Sequence, residues 1–175
     1  AEPDNSAAWA IEGALLRSGG QPREAVAAFD RALAIDPASL PALLGRATAR
    51  ITLREPDKAQ WDIAAIQQLH PQYYQADYLT ALAKHQQQQL EAAREAVERA
   101  LERQQGFLPA QLLAGTIAFQ QEDFNRAEQH LRTYWSSDPT NPSATKLLGA
   151  TLVKLHKPEQ AVAALAPGLG AATGA

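Results

Sequence analysis

The stretch from Glu24 to Pro37, EAVAAFDRALAIDP, decides how this chain is built, because it returns at a fixed distance. It recurs 34 residues on as KAQWDIAAIQQLHP (Lys58 to Pro71), then as AAREAVERALERQQ from Ala92, as RAEQHLRTYWSSDP ending at Pro139, and as the shorter QAVAALAPG from Gln160. A small residue keeps register throughout: Ala25, Ala59, Ala93, Ala127 and Ala161. Four residues after each stands an apolar side chain, namely Phe29, Ile63, Val97, Leu131 and Leu165. A repeat of this length and pattern marks an array of helix–turn–helix units, each too small to bury its own apolar face.

Local signals place the helices. In the first unit an A helix is predicted over 9–18, ended by Gly19-Gly20, where glycine takes a left-handed cap without a Cβ penalty. Pro22 then opens a B helix, since its missing N–H has no intrahelical acceptor in the first turn. Asp36-Pro37 closes it, because the residue before proline is pushed out of the helical region. The same grammar predicts helices over 41–52 and 56–69, 75–87 and 90–104, 109–120 and 124–136, and 143–155, with a last B helix from Pro158 cut short at Pro167-Gly168. Pro22, Pro56 and Pro158 share one register. So do Gly13, Ala47, Ala81, Gly115 and Gly149 on the A helices, expected to face the Ala25 series so that paired helices approach closely.

Composition bounds what such an array does. Hydrophobic residues make up 46% of the 175, enough for a continuous core. A net charge of −3 offers no basic surface for nucleic acid. No apolar run reaches the roughly 18 residues of a membrane-spanning helix. There is no cysteine, which excludes disulfides and thiolate metal sites, and no methionine. The absent initiator residue and the small-residue end APGLGAATGA lead us to expect a piece of a longer repeat array.

The chain offers no recognisable catalytic constellation. His70, His85, His130 and His156 have no metal-binding spacing among them, and no nucleophile-elbow, Walker or dinucleotide motif occurs. His70 and His156 fall in turns, and His130 is expected on an exposed helix face. The alternating charges of Glu91, Arg94, Glu95, Glu98, Arg99, Glu102 and Arg103 describe a solvated helix face. We therefore expect no enzyme and no cofactor.

The spacing of Trp9, Gly13, Leu16, Ala25, Phe29, Ala32 and Pro37 resembles the tetratricopeptide repeat (TPR), and the resemblance covers nearly the whole chain. Departures are Glu12 at a usual leucine position, and Ile66 and Tyr134 where a small residue is the norm. The resemblance implies an all-α, right-handed solenoid: an extension over 1–5, repeats over 6–39, 40–73, 74–107 and 108–141, a partial repeat over 142–166 and a flexible tail over 167–175. More narrowly, the run from Leu113 to Leu165, with AEQHLRTY and DPTNPSATKLLGATL inside it, is similar to the TPR lipoproteins of exosortase (PEP-CTERM) systems. Those are envelope components of Gram-negative bacteria associated with exopolysaccharide export.

In TPR proteins the A helices line a concave groove. Carried over by register, the groove residues here are Leu44, Thr48, Ile51, Tyr78, Leu82, His85, Leu112, Thr116 and Phe119. This mixture suits an apolar peptide or amphipathic helix anchored by a few large side chains. Packing between neighbouring A helices is the competing reading of the same residues. The family's carboxylate-clamp positions hold Ala10, Ala14, Leu44, Thr48, Tyr78 and Leu82, which cannot grip a C-terminal carboxylate. Trp9 reads as core, while Trp61 and Trp135 on B helices read as packing toward a neighbouring unit or the convex surface, with carbohydrate stacking as a second reading. The expected function is a protein-interaction scaffold of an exopolysaccharide assembly in the bacterial periplasm or at the outer membrane. Alternatives are an adaptor of a cellulose- or alginate-export complex, a cytoplasmic adaptor, and a solenoid that binds polysaccharide directly.

Overall fold

Five turns built alike set the architecture. Gly20, Arg54, Gln88, Glu122 and His156, each 34 residues from the next, all adopt positive φ, between 57° and 76°. At each, the left-handed residue's N–H donates to the carbonyl three back, and the next N–H donates to the carbonyl five back, as in Gly20 to Arg17 and Gln21 to Leu16. This pair of bonds is the Schellman motif, which satisfies carbonyls a helix end otherwise leaves open. Only one of the five is glycine. Four larger residues therefore hold a conformation that costs an L-amino acid roughly 1–2 kcal/mol, and only at Gly19-Gly20 does the residue type signal the left-handed cap.

The computed structural model describes residues 5–170, with the backbone alone over 167–170. Ten helices follow in order: α1 (Ser6–Ser18), α2 (Pro22–Ile35), α3 (Leu40–Thr52), α4 (Pro56–Leu69), α5 (Tyr74–Gln86), α6 (Leu90–Arg103), α7 (Leu108–Gln120), α8 (Phe124–Ser137), α9 (Pro142–Lys154) and α10 (Pro158–Gly170). No strand occurs among the described residues. The chain forms two units, residues 1–96 and 97–175, with the division inside α6.

Most helix ends lie within a residue of the expected ones; two depart. First, α1 begins three residues early because the Asn5 side chain accepts from the Ala8 N–H at 3.0 Å and caps it. Ser6 Oγ then donates to the Ala32 carbonyl at 3.0 Å, tying that end to α2. Second, α10 is not cut at Pro167-Gly168; its backbone runs on to Gly170. A proline removes one backbone donor, and the helical backbone here absorbs that loss within its last turn. Of the expected extension and tail, residues 1–4 and 171–175 lie outside the described residues.

In the first unit α1–α2 and α3–α4 pack as hairpins, α5 joins them, and α1, α3 and α5 are successive neighbours. Phe29, Ile63 and Ile66 fill the core, with Ala25, Ala32, Ala42, Ala47 and Ala59 fully buried between them. Fully burying a side chain the size of Phe29 or Ile63 stabilises by about 1.5–3 kcal/mol. The A-helix glycines have a more specific purpose than facing the Ala25 series. A Cβ on Gly13 would meet the Phe29 ring at 2.7 Å, and one on Gly115 would meet Leu131 Cγ at 2.6 Å. The small residue thus seats the large apolar side chain sixteen positions later. In the second unit α7–α8 and α9–α10 form the hairpins, and Leu131, Leu148 and Leu152 make the core.

The family departures are absorbed locally. Ile66 is fully buried, and Tyr134 is half-buried with its hydroxyl accepting from Asn141 Nδ2 at 3.0 Å. Asn141 also caps α9 through the Ser143 and Ala144 N–H groups.

Candidate functional site

The heptad-like spacing of Tyr78, Leu82 and His85 places them along one stripe of α5, and all three are half-buried. On the neighbouring α3, Leu44 and Thr48 are likewise half-buried. Leu44 and Leu82 rest against the edge of the core, each keeping part of its surface open. Ile51 differs: at 6% exposure it belongs to the core cluster and offers a partner almost nothing. Its carbonyl accepts from Gln86 Nε2 at 2.8 Å, which ties the last turn of α5 to the last turn of α3. That bond closes the packing over Ile51. Burial raises the Tyr78 phenol above its ordinary value, so it stays protonated at neutral pH.

The second unit carries its own set. Leu112 and Thr116 on α7 are half-buried, as is Phe119, whose ring meets Phe124 edge to face at 5.6 Å. Thr48 Oγ1 donates to the Leu44 carbonyl at 2.7 Å, and Thr116 Oγ1 donates to the Leu112 carbonyl at 2.8 Å. With their hydrogens committed to the backbone, both hydroxyls are left to act as acceptors toward a ligand.

His130 stands otherwise than the sequence suggested. It is half-buried, with Nδ1 2.8 Å from Oε1 of the buried Gln111. Gln111 Nε2 donates to the Gln105 carbonyl at 2.9 Å, so its Oε1 is the acceptor and His130 supplies the proton. Burial is the main reason the His130 imidazolium is disfavoured, and Arg126 adds to it against Glu98 and Asp123. Of the two B-helix tryptophans, Trp61 is 78% exposed. Trp135, by contrast, is half-buried against the second core, and Trp9 is half-buried under the Arg31 guanidinium, 4.5 Å from the ring centroid.

Sequence reading also missed an ion network. Asp62 on α4 is 1% exposed and accepts from Arg46 Nη2 at 2.5 Å and from Arg50 Nη1 at 2.9 Å. Arg46 Nη1 reaches back to Asp30 on α2 at 2.6 Å. Burial opposes the charge on Arg46, yet its bonds to Asp62 and Asp30 outweigh that and raise its pKa. One signal was available: Arg46 and Arg50 are four apart on an A helix, and Asp62 follows Arg46 by the sixteen residues that separate Gly13 from Phe29.

Among the described residues no group of His, Cys, Asp and Glu could hold a metal ion, and no helix is long and apolar enough to cross a membrane. Helical hairpins repeating every 34 residues, seamed by small side chains, define a TPR-type all-α solenoid, the class of a protein-interaction scaffold.

The particular family follows from residues 10–165, which match the tetratricopeptide repeat protein 21 C-terminal ARM domain; the chain belongs to that family. No curated protein matches the sequence. Among solved structures it is similar to a thermophilic TPR protein of Thermus thermophilus, at 19% identity and TM-score 0.78 over 95% of this chain and 91% of the other. PilF of Pseudomonas aeruginosa superposes at 18% identity and TM-score 0.80, over 93% and 76%. YrrB, described as a TPR protein with an unusual peptide-binding site, superposes at 17% identity and TM-score 0.67, over 97% and 87%. At such identities the likeness is one of fold.

Proposed function

We propose that this scaffold captures an apolar peptide or one face of an amphipathic helix on its A helices, as a component of a bacterial exopolysaccharide assembly and export system. The observation that carries the binding mode is the stripe of Tyr78, Leu82 and His85 on α5, half-open beside Leu44 and Thr48 on α3. Residues at i, i+4 and i+7 fall on one face of α5, so their side chains offer one continuous surface to a docked segment. Leucine and tyrosine surfaces held by a rigid scaffold gain affinity without ordering costs on their own side. The peptide-binding site described for YrrB supports the same reading. Placement in the envelope rests on the resemblance of residues 113–165 to exosortase-system TPR lipoproteins.

The test is capture from bacterial envelope extract, comparing the wild-type chain with a Tyr78→Ala, Leu82→Ala variant whose helicity is checked by circular dichroism. An exopolysaccharide-export protein held by the wild type and lost by the variant is the expected result. Equal capture by both would remove the A-helix stripe from consideration. Capture of a cytoplasmic complex in its place would overturn the envelope assignment while leaving the stripe intact.

A further inference from the structure

The B-helix side of the first unit holds a cleft of about 380 Å³ that shares no residue with the stripe on α5. Its walls come from α2 (Asp30, Leu33) and α4 (Trp61, Asp62), and Arg46 of α3 lies between them. Trp61 is the most exposed large apolar side chain among those described, although tryptophan is on average highly buried. An indole left in water beside a cleft lined mainly by apolar residues, Leu33, Leu43 and Ala65 among them, together with the charged Asp30, Arg46 and Asp62, is an unusual combination.

The chemistry of the cleft narrows what fits. Arg46, Arg50, Asp30 and Asp62 carry a formal charge of zero together, since two guanidinium groups face two carboxylates. An anion entering the cleft would meet Asp30, and a cation would meet Arg46. A purely apolar side chain would strip water from the half-exposed Asp30 and from Arg46 and return no hydrogen bond. The volume lies near the lower bound for small-molecule pockets, suited to one ring and too small for a helix. A neutral group with hydroxyls on its edge and C–H bonds on its face meets every condition. Hydroxyls both donate and accept, so one can bond Asp30 and Arg46 together. The Asp30 bond to Arg46 uses only Oδ1, and the guanidinium has five N–H groups, of which its four bonds to carboxylate oxygens engage one on each nitrogen.

We infer that the cleft between α2 and α4 is a saccharide subsite, in which a neutral pyranose ring stacks on Trp61 and directs its hydroxyls to Asp30 and Arg46. This goes beyond protein capture by the A helices and is independent of it. A chain with both would hold a protein partner on one set of helices and a glycan on the other.

The experiment follows the indole N–H signal of Trp61 by ¹H–¹⁵N NMR, assigned with Trp61→Phe, during titration with methyl β-D-glucopyranoside, methyl β-D-galactopyranoside and methyl α-D-mannopyranoside. At least one glycoside is expected to shift the signal saturably in the millimolar range. Asp30→Ala, at a half-exposed position, is expected to keep the fold and weaken that binding by about tenfold, the loss of one charge-assisted hydrogen bond. No saturable shift with any of the three overturns the proposal, as does an equal shift with D-sorbitol, which lacks a ring face. Saturation by the apolar peptide acetyl-Leu-Pro-Leu-amide, with the glycosides silent, assigns the cleft to protein and also overturns it. Unchanged affinity in Asp30→Ala overturns the hydroxyl contacts on which the proposal depends.

Discussion

Gly45 on α3 sits directly over the ring of Phe29 on α2: a Cβ placed on it would lie 2.2 Å from Phe29 Cζ. Gly13 on α1 meets the same ring at 2.7 Å, so one buried phenylalanine is held between two glycines from different helical hairpins. The ring is rigid and 1% exposed, with nowhere to move. Gly45→Ala gains about 1 kcal/mol in helix propensity. Overpacking of roughly 1–3 kcal/mol opposes that gain, toward the upper end at so short an approach. Urea denaturation is expected to show net destabilisation, partly recovered by adding Phe29→Leu. Gly149→Ala, where the flexible Leu165 side chain stands 3.2 Å away, is expected to be milder. A Gly45→Ala protein at least as stable as wild type would contradict the packing described.

Removing the buried anion of the ion network leaves two arginines without their shared partner. Asp62→Ala is expected to cost roughly 3 kcal/mol, the low end for a broken buried pair, because Arg46 and Arg50 keep some contact with water. A double-mutant cycle with Arg46→Ala should return a coupling energy of at least about 0.5 kcal/mol. Strict additivity would show that the pair contributes nothing beyond its separate side chains.

The left-handed register at the A-to-B turns predicts stabilising glycines. Gln88→Gly and Glu122→Gly relieve a strain of roughly 1–2 kcal/mol, offset by the extra freedom glycine gives the unfolded chain. The net expectation for each is a small rise in melting temperature. The reverse change, Gly20→Ala, where φ is 76°, is expected to lower it. Gln88→Val should be the worst of the series, since a branched Cβ suits this region least.

Burial of His130 ties stability to pH. Its folded pKa lies below the ordinary 6.5, so on acidification the unfolded chain binds the proton first. The contribution is therefore fully present above 6.5 and lost as pH falls through the folded value. The charged groups acting on His130 are Glu98, Arg126 and Asp123, and Gln111 is its hydrogen-bond partner. His130→Gln keeps a donor for Gln111 and removes the titration. Its melting temperature is expected to vary less between neutral pH and pH 5 than that of the wild type. An identical pH profile would show that His130 titrates alike in both states.

A fixed period of small and large apolar residues, punctuated by prolines at first helical positions, was enough to determine the ten helices of the described residues, the hairpins within each unit and most helix ends. The reason is that helix propensity, capping and amphipathic spacing act over a few residues, and a 34-residue repeat states them five times. Register named Leu44, Tyr78, Leu82, Leu112 and Phe119 as groove residues, and all five are half-buried; it named Ile51 as well, which is buried, and set His130 on an exposed face that it does not occupy. What a side chain meets across a helix pair was not legible, because that depends on reach and on distances between elements. Only the tertiary structure decided that Asp62 is buried beneath two arginines, that His130 bonds to Gln111, and that Ile51 is closed over by Gln86. The contrast between exposed Trp61 and packed Trp135 was within reach of the repeat, since position 61 shares its register with the exposed Ala27, Glu95 and Gln129 and position 135 with the buried Leu33 and Leu101. The tertiary structure also decided that Asp30, Arg46 and Asp62 meet beside Trp61 in one cleft, because that depends on how α2, α3 and α4 pack together.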